Sequence, residues 1–96
     1  MTGVQTCALP ICRRELTRGL DLLYQKKDPA AAAEQFRRVL QRNPLHYGAT
    51  YQLATALDRA GQSTQARPLW MKVLGMATTY NDAATAQAAR ARLSRP

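Results

Sequence analysis

Five apolar positions recur at one spacing in this chain, and that spacing limits the possible folds more than any other feature. Leu23 and Leu57 are 34 residues apart, and the same interval separates Ala32 from Ala66, Phe36 from Trp70, Val39 from Val73 and Leu40 from Leu74. A bundle of unrelated helices has no reason to repeat five such positions in register, whereas a stack of equivalent units does. Each unit must then be a short piece of structure that cannot bury its apolar side alone and relies on its neighbours.

The pattern around these positions is helical. Pro44 to Gly61 reads as one amphipathic helix with Thr50, Leu53, Ala54, Leu57 and Ala60 along one face. Gly61 ends it, because glycine takes the left-handed conformation that a helix C-terminus favours. Before it, a helix from about Arg14 to Lys27 carries Leu16, Leu20, Leu23 and Tyr24, with Gly19 as a weak point. Asp28-Pro29 starts the next helix, since the carboxylate can accept from an orphan amide and proline at the first helical position forfeits no bond. That helix spans Pro29 to Arg42, turns Ala32, Phe36, Val39 and Leu40 inward, and stops at Asn43-Pro44. Beyond the central helix, Ser63 is the expected cap of a helix to Met76 with Ala66, Leu69, Trp70, Val73 and Leu74 inward. Pro68 predicts a local bend or a 3-10 turn near Thr64, because it lacks a donor that the helix would use. A last helix follows Asn81, with Ala84, Ala88 and Ala91 as a small-residue seam and Leu93 near its end.

Composition agrees with an all-α class. The 96 residues are enough for one small domain, and apolar residues make up 46% of them with only 6% aromatic, so alanine-rich helix packing is favoured over a sheet sandwich. Fourteen Lys and Arg against six Asp and Glu give a formal charge of +8, which keeps an anionic partner under consideration. No uncharged run reaches membrane-spanning length, and the expectation is a soluble protein of the cytoplasm or periplasm. Residues 1–11, MTGVQTCALPI, resemble the in-frame translation of a sequencing-library adapter, and residues 1–12 are expected to form a disordered tail. The natural N-terminus is then expected to be missing, with any upstream repeats or signal peptide. Cys7 and Cys12 drop out of redox and metal arguments with that tail. His46 is the sole histidine, which leaves almost no material for a metal site or a Ser-His-Asp arrangement, so no enzyme activity, cofactor or metal is expected.

Over Arg14 to about Thr79 the chain resembles the tetratricopeptide repeat family, whose helix-turn-helix unit is 34 residues long. Leu53 and Ala54 match the Leu-Gly/Ala pair of the first helix, Gly61 the turn glycine, Ala66 the small residue of the second helix and Trp70 its aromatic. In the earlier unit Ala32, Phe36, Leu40 and the closing Pro44 match, while Leu20 stands where a small residue is usual and Lys27 replaces the turn glycine. Thr78 stands where the second unit would have its closing proline. The resemblance implies antiparallel helix-turn-helix repeats stacked as a short right-handed α-solenoid, with units at residues 13–44 and 45–79 and a capping helix and tail at 80–96. The structural core it implies is Leu23, Ala32, Phe36, Leu40, Pro44, Leu53, Ala54, Leu57, Gly61, Ala66, Trp70 and Leu74.

The same resemblance implies a concave groove that binds a peptide or a partner helix, presenting Arg18, Asp21 and Tyr24 from the first helix and Tyr51, Gln52, Thr55 and Arg59 from the central one, with His46 at its edge. The Lys, Asn and Arg set by which some members clamp a C-terminal carboxylate is not reproduced by Thr17, Asp21, Gln52 and Thr55. Tyr24 and Tyr51 fit either ligand contact or packing between repeats, since a ring with a hydroxyl suits both. Two other readings stand beside protein binding. Lys26, Lys27, Arg37, Arg38, Arg42, Arg67, Lys72, Arg90, Arg92 and Arg95 could bind nucleic acid electrostatically, although they are scattered and not interleaved with aromatics. Alternatively the segment is a structural cap or oligomerisation element, with the alanine seam of the last helix as its contact.

Overall fold

A computed structural model describes residues 10–94 of the chain, with side chains from Arg14 onward. The expected tail through residue 9, Cys7 among it, and Arg95 lie outside the described residues. Five helices follow one another: α1 (Pro10–Tyr24), α2 (Pro29–Arg42), α3 (Tyr47–Arg59), α4 (Ser63–Thr79) and α5 (Ala83–Leu93). Each packs chiefly on its neighbours in sequence, and α1 touches α3 more sparsely, so the chain is a row of antiparallel hairpins measuring 38 × 32 × 19 Å.

The repeat seen in the sequence is a repeat of environment. Leu23 and Leu57, Ala32 and Ala66, Phe36 and Trp70, and Val39 and Val73 are buried pairwise, while Leu40 and Leu74 are both half-buried. Small residues let the helices approach and large ones fill what remains. Gly19 belongs to this logic: a Cβ there would stand 2.6 Å from Cε1 of the buried Phe36 ring. It is thus the close-approach position of α1, and not merely a weak point; Leu20 beside it is half-buried.

The turns repeat as well. Gly61 has φ +78°, its amide donates to Asp58 O at 3.1 Å, and the Gln62 amide donates to Leu57 O at 2.8 Å. Asn81, with φ +58°, closes α4 in the same way through Asn81 N to Thr78 O and Asp82 N to Ala77 O. Both are helix ends with a left-handed residue satisfying the last carbonyls. Lys27, 34 residues before Gly61, carries φ +54° at the end of a wider turn in which the Asp28 amide reaches back to Leu22 O.

Several boundaries differ from the sequence reading. Helix α1 begins at Pro10, inside the span expected as tail, and ends at Tyr24 before Lys27, because a left-handed residue cannot continue it. Helix α3 begins at Tyr47, since Pro44 and Leu45 form the turn out of α2. Ser63 is the first residue of α4 and not its cap; Gln62 is, without a side-chain bond. Helix α4 is α-helical through Pro68 and extends to Thr79, so neither the expected 3-10 turn nor the stop at Met76 occurs; Pro68 lies on the exposed face. The buried residues of α5 are Ala86 and Ala89, whereas Ala84 and Ala91 are exposed and Ala88 is half-buried. The seam residues sit 34 positions after Thr50, Ala54 and Leu57, which are buried on α3, and no described helix follows α5 to cover them.

Candidate functional site

The expected groove residues fall into separate groups. Tyr24, at the last turn of α1, donates its hydroxyl to Gln52 Oε1 on α3 at 2.9 Å. Arg59, seven residues after Gln52 and therefore on the same face of α3, places its guanidinium carbon 5.0 Å from the centroid of the Tyr24 ring. A tyrosine held between an amide and a guanidinium is fixed in orientation while its exposure remains 42%. Asp21, one turn earlier on α1, is half-buried and forms an ion pair with Lys26 at 3.8 Å, and Arg18 is exposed on the same helix.

Tyr51, Thr55 and His46 have other roles. Tyr51 is half-buried and meets Trp70 edge-on, with ring centroids 5.5 Å apart, so its ring belongs to the packing of α3 on α4. Thr55 is buried at 6% exposure and its hydroxyl donates to Tyr51 O at 3.0 Å, which removes it from the presenting surface. His46 is the N-cap of α3: its Nδ1 accepts from the Ala49 amide at 3.0 Å. Burial pushes the imidazole pKa below its ordinary value, outweighing the opposing effect of its own backbone. Capping with Nδ1 requires that nitrogen to be unprotonated.

Two polar clusters tie α5 to the stack. Trp70 Nε1 donates to Asp58 Oδ2 at 2.8 Å, and Arg92 Nη1 lies 3.4 Å from the same oxygen with its guanidinium 5.6 Å from the Trp70 ring. Asp58 and Arg92 are themselves 34 residues apart, the one hint of this contact in the sequence; a buried indole N–H also demands an acceptor. At the other end, Tyr47 donates its hydroxyl to Asp82 Oδ2 at 2.9 Å and its ring packs at a tilt against that of Tyr80, while Asp82 caps α5 by accepting from the Thr85 amide. Hydrogen bonds from Thr85 and Tyr47 hold the Asp82 carboxyl below the usual carboxylate range. Desolvation by burial, with smaller effects of the Asp82 hydrogen bond and charge, raises the Tyr47 hydroxyl.

The cations are distributed over several helices, and many already face a partner. Lys26 pairs with Asp21, Arg37 with Glu34, Arg42 with Glu15 and Arg92 with Asp58, and Arg67 donates to Leu93 O at 3.1 Å. Among the described residues no group of His, Cys, Asp and Glu is gathered as a metal site would require, and no helix is long and apolar enough to cross a membrane.

Comparison with known proteins adds one positive finding. No curated protein and no solved structure matches the chain. A family model described as tetratricopeptide repeat matches residues 23–93, from the last part of α1 through α5. That span holds all five repeated core pairs, the whole of α2, α3, α4 and α5 and the turns between them, and the chain belongs to the tetratricopeptide repeat family.

Proposed function

We propose that this chain is a non-enzymatic interaction module that holds a peptide or a partner helix on the surface formed by α1 and α3. Tetratricopeptide repeats generally mediate protein–protein contact, typically as scaffolds without catalysis. The observation that carries the finer reading is the Tyr24, Gln52 and Arg59 cluster, an exposed aromatic ring held in place across two helices by an amide and a guanidinium. Tyrosine and arginine supply contact area, hydrogen bonding and charge at small entropic cost when they are already positioned. Arg18 and Asp21 extend this surface along α1 and give it polar groups of both signs, which suits a polar backbone or mixed side chains more than an apolar ligand. Tyr51 and Thr55 contribute as support beneath it.

The test is selection of linear peptides on the whole chain, followed by titration against a Tyr24→Ala, Arg59→Ala double variant that unfolds at the parental midpoint. Selected peptides should bind the variant about tenfold or more weakly, as expected when a central anchor is removed. Unchanged affinity would refute the assignment. An oligonucleotide bound more tightly than any peptide, with affinity falling steeply with log salt, would move the function to the scattered cations instead.

A further inference from the structure

The internal repeat supplies a control for the outward faces of α2 and α4. On α2 the outward positions are Glu34, Arg37, Arg38, Gln41 and Arg42, a charged surface of the ordinary solvated kind. Thirty-four residues later, the same positions on α4 hold Pro68, Met71, Lys72, Gly75 and Met76. One unit therefore meets water with charge, and its equivalent presents mostly apolar or featureless groups. Met71 is 64% exposed, and Leu45 and Tyr80 each have about half of their surface in solvent. With Lys72, Gly75, Met76 and Thr79, Leu45 and Tyr80 line an open groove of about 480 Å³. Methionine on such a surface adapts to the shape of an incoming apolar group.

Gly75 points the same way. A glycine inside a long helix weakens it, and this one has no reason within the chain: a Cβ at Gly75 would meet nothing within 4 Å. Gly19, by contrast, is explained by Phe36. At Gly75 the missing side chain leaves the helix backbone bare at the groove, where another backbone could approach closely.

The charge around the groove selects among occupants. Its one ionic side chain is Lys72; Arg37 of α2, itself paired with Glu34, reaches α4 only near its start, where Nη2 donates to Gln65 Oε1 at 3.4 Å. A second copy would bring another +8 against this face, which opposes association. We infer that the α4 groove is a second docking surface, separate from the α1/α3 face, for an acidic amphipathic helix whose apolar stripe covers Met71, Met76 and Leu45 and crosses close to Gly75. Its carboxylates would lie toward Lys72.

The probe is a labelled synthetic helix with leucines at i, i+3, i+4 and i+7 and glutamates on both flanks, titrated with the whole chain beside a scramble of equal composition and a lysine-for-glutamate version. The glutamate helix should bind about tenfold or more tightly than either control. The double variant Met71→Arg, Gly75→Gln gives α4 the residues that α2 carries at these positions, and it adds positive charge. Loss of binding in it can therefore not be electrostatic, and about a tenfold loss is expected. Should that variant fail to fold, Lys72→Glu replaces it, weakening the glutamate helix and strengthening the lysine one. Equal binding of the scramble, retention by the double variant, or loss in Tyr24→Ala, Arg59→Ala instead would overturn the inference. So would a parental dimer that Met71→Arg, Gly75→Gln converts to monomer, since the face would then belong to a second copy.

Discussion

Trp70 and Asp58 are joined by an indole N–H donated to a carboxylate oxygen at 2.8 Å, at the junction of α3, α4 and α5. The bond converts a large core side chain into a polar anchor as well. Removing Asp58 leaves a buried donor without an acceptor and Arg92 without its anion. Asp58→Ala should cost about 1–3 kcal/mol, whereas Trp70→Ala should cost about 3–5 kcal/mol from lost packing. Urea unfolding checks both. The double variant should lose less than the sum, because the second change removes a group whose partner has already gone.

Gly19 and Gly75 should respond oppositely to the same substitution. Gly19→Ala drives a methyl into the buried Phe36 ring, and overpacking of this kind costs about 1–3 kcal/mol against a gain of about 1 kcal/mol in helix propensity. Gly75→Ala meets open space and should stabilise the chain by about 0.5–1 kcal/mol. Shifts of the thermal midpoint in the same direction for both variants would contradict this.

Lys27 occupies a left-handed conformation that costs a side-chain-bearing residue about 1–2 kcal/mol. Lys27→Gly should therefore stabilise the protein by about 1 kcal/mol, offset in part by the freedom glycine gains in the unfolded chain. Gly61→Ala should destabilise it for the converse reason. Denaturant midpoints of the two variants, compared with the parent, decide the matter.

Because the His46 pKa is lowered in the folded protein, the unfolded chain binds more protons between the folded value and the ordinary 6.5. Its contribution to stability is complete above 6.5 and is lost as pH falls through the folded value. The His46→Asn variant retains a capping oxygen and should lose this pH dependence. The difference in unfolding free energy between parent and variant, measured from pH 7.5 down to about 5, should change in that sense.

Much of the fold was legible because burial in a repeated hairpin is written twice. The pairs Phe36–Trp70 and Val39–Val73 specify the same environment at the same register, so each position corroborates the other. The bounds of α2 were readable because Asp28 and Pro29 act within their own turn. What escaped the sequence depends on contacts between distant elements. Gly19 looks like a helix breaker until Phe36 is brought against it, and His46 looks like a loop residue until α3 begins beside it. The seam of Ala84, Ala88 and Ala91 has the right spacing, but α5 is rotated so that Ala86 and Ala89 face inward. Within the expected groove, Tyr24, Gln52 and Arg59 come together, whereas Tyr51 and Thr55 point toward packing, a distinction that periodicity alone does not make.

At the ends of α3 and α4 the left-handed residue stands directly before the residue that caps the next helix, Gly61 before Gln62 and Asn81 before Asp82. These corners have no slack. One inserted residue would disengage a departing helix and an arriving helix together, whereas the links before α2 and α3, Gln25 to Asp28 and Asn43 to His46, are each one residue longer. Evolutionary or engineered lengthening of this protein therefore has its natural entry at those two links, ahead of α3.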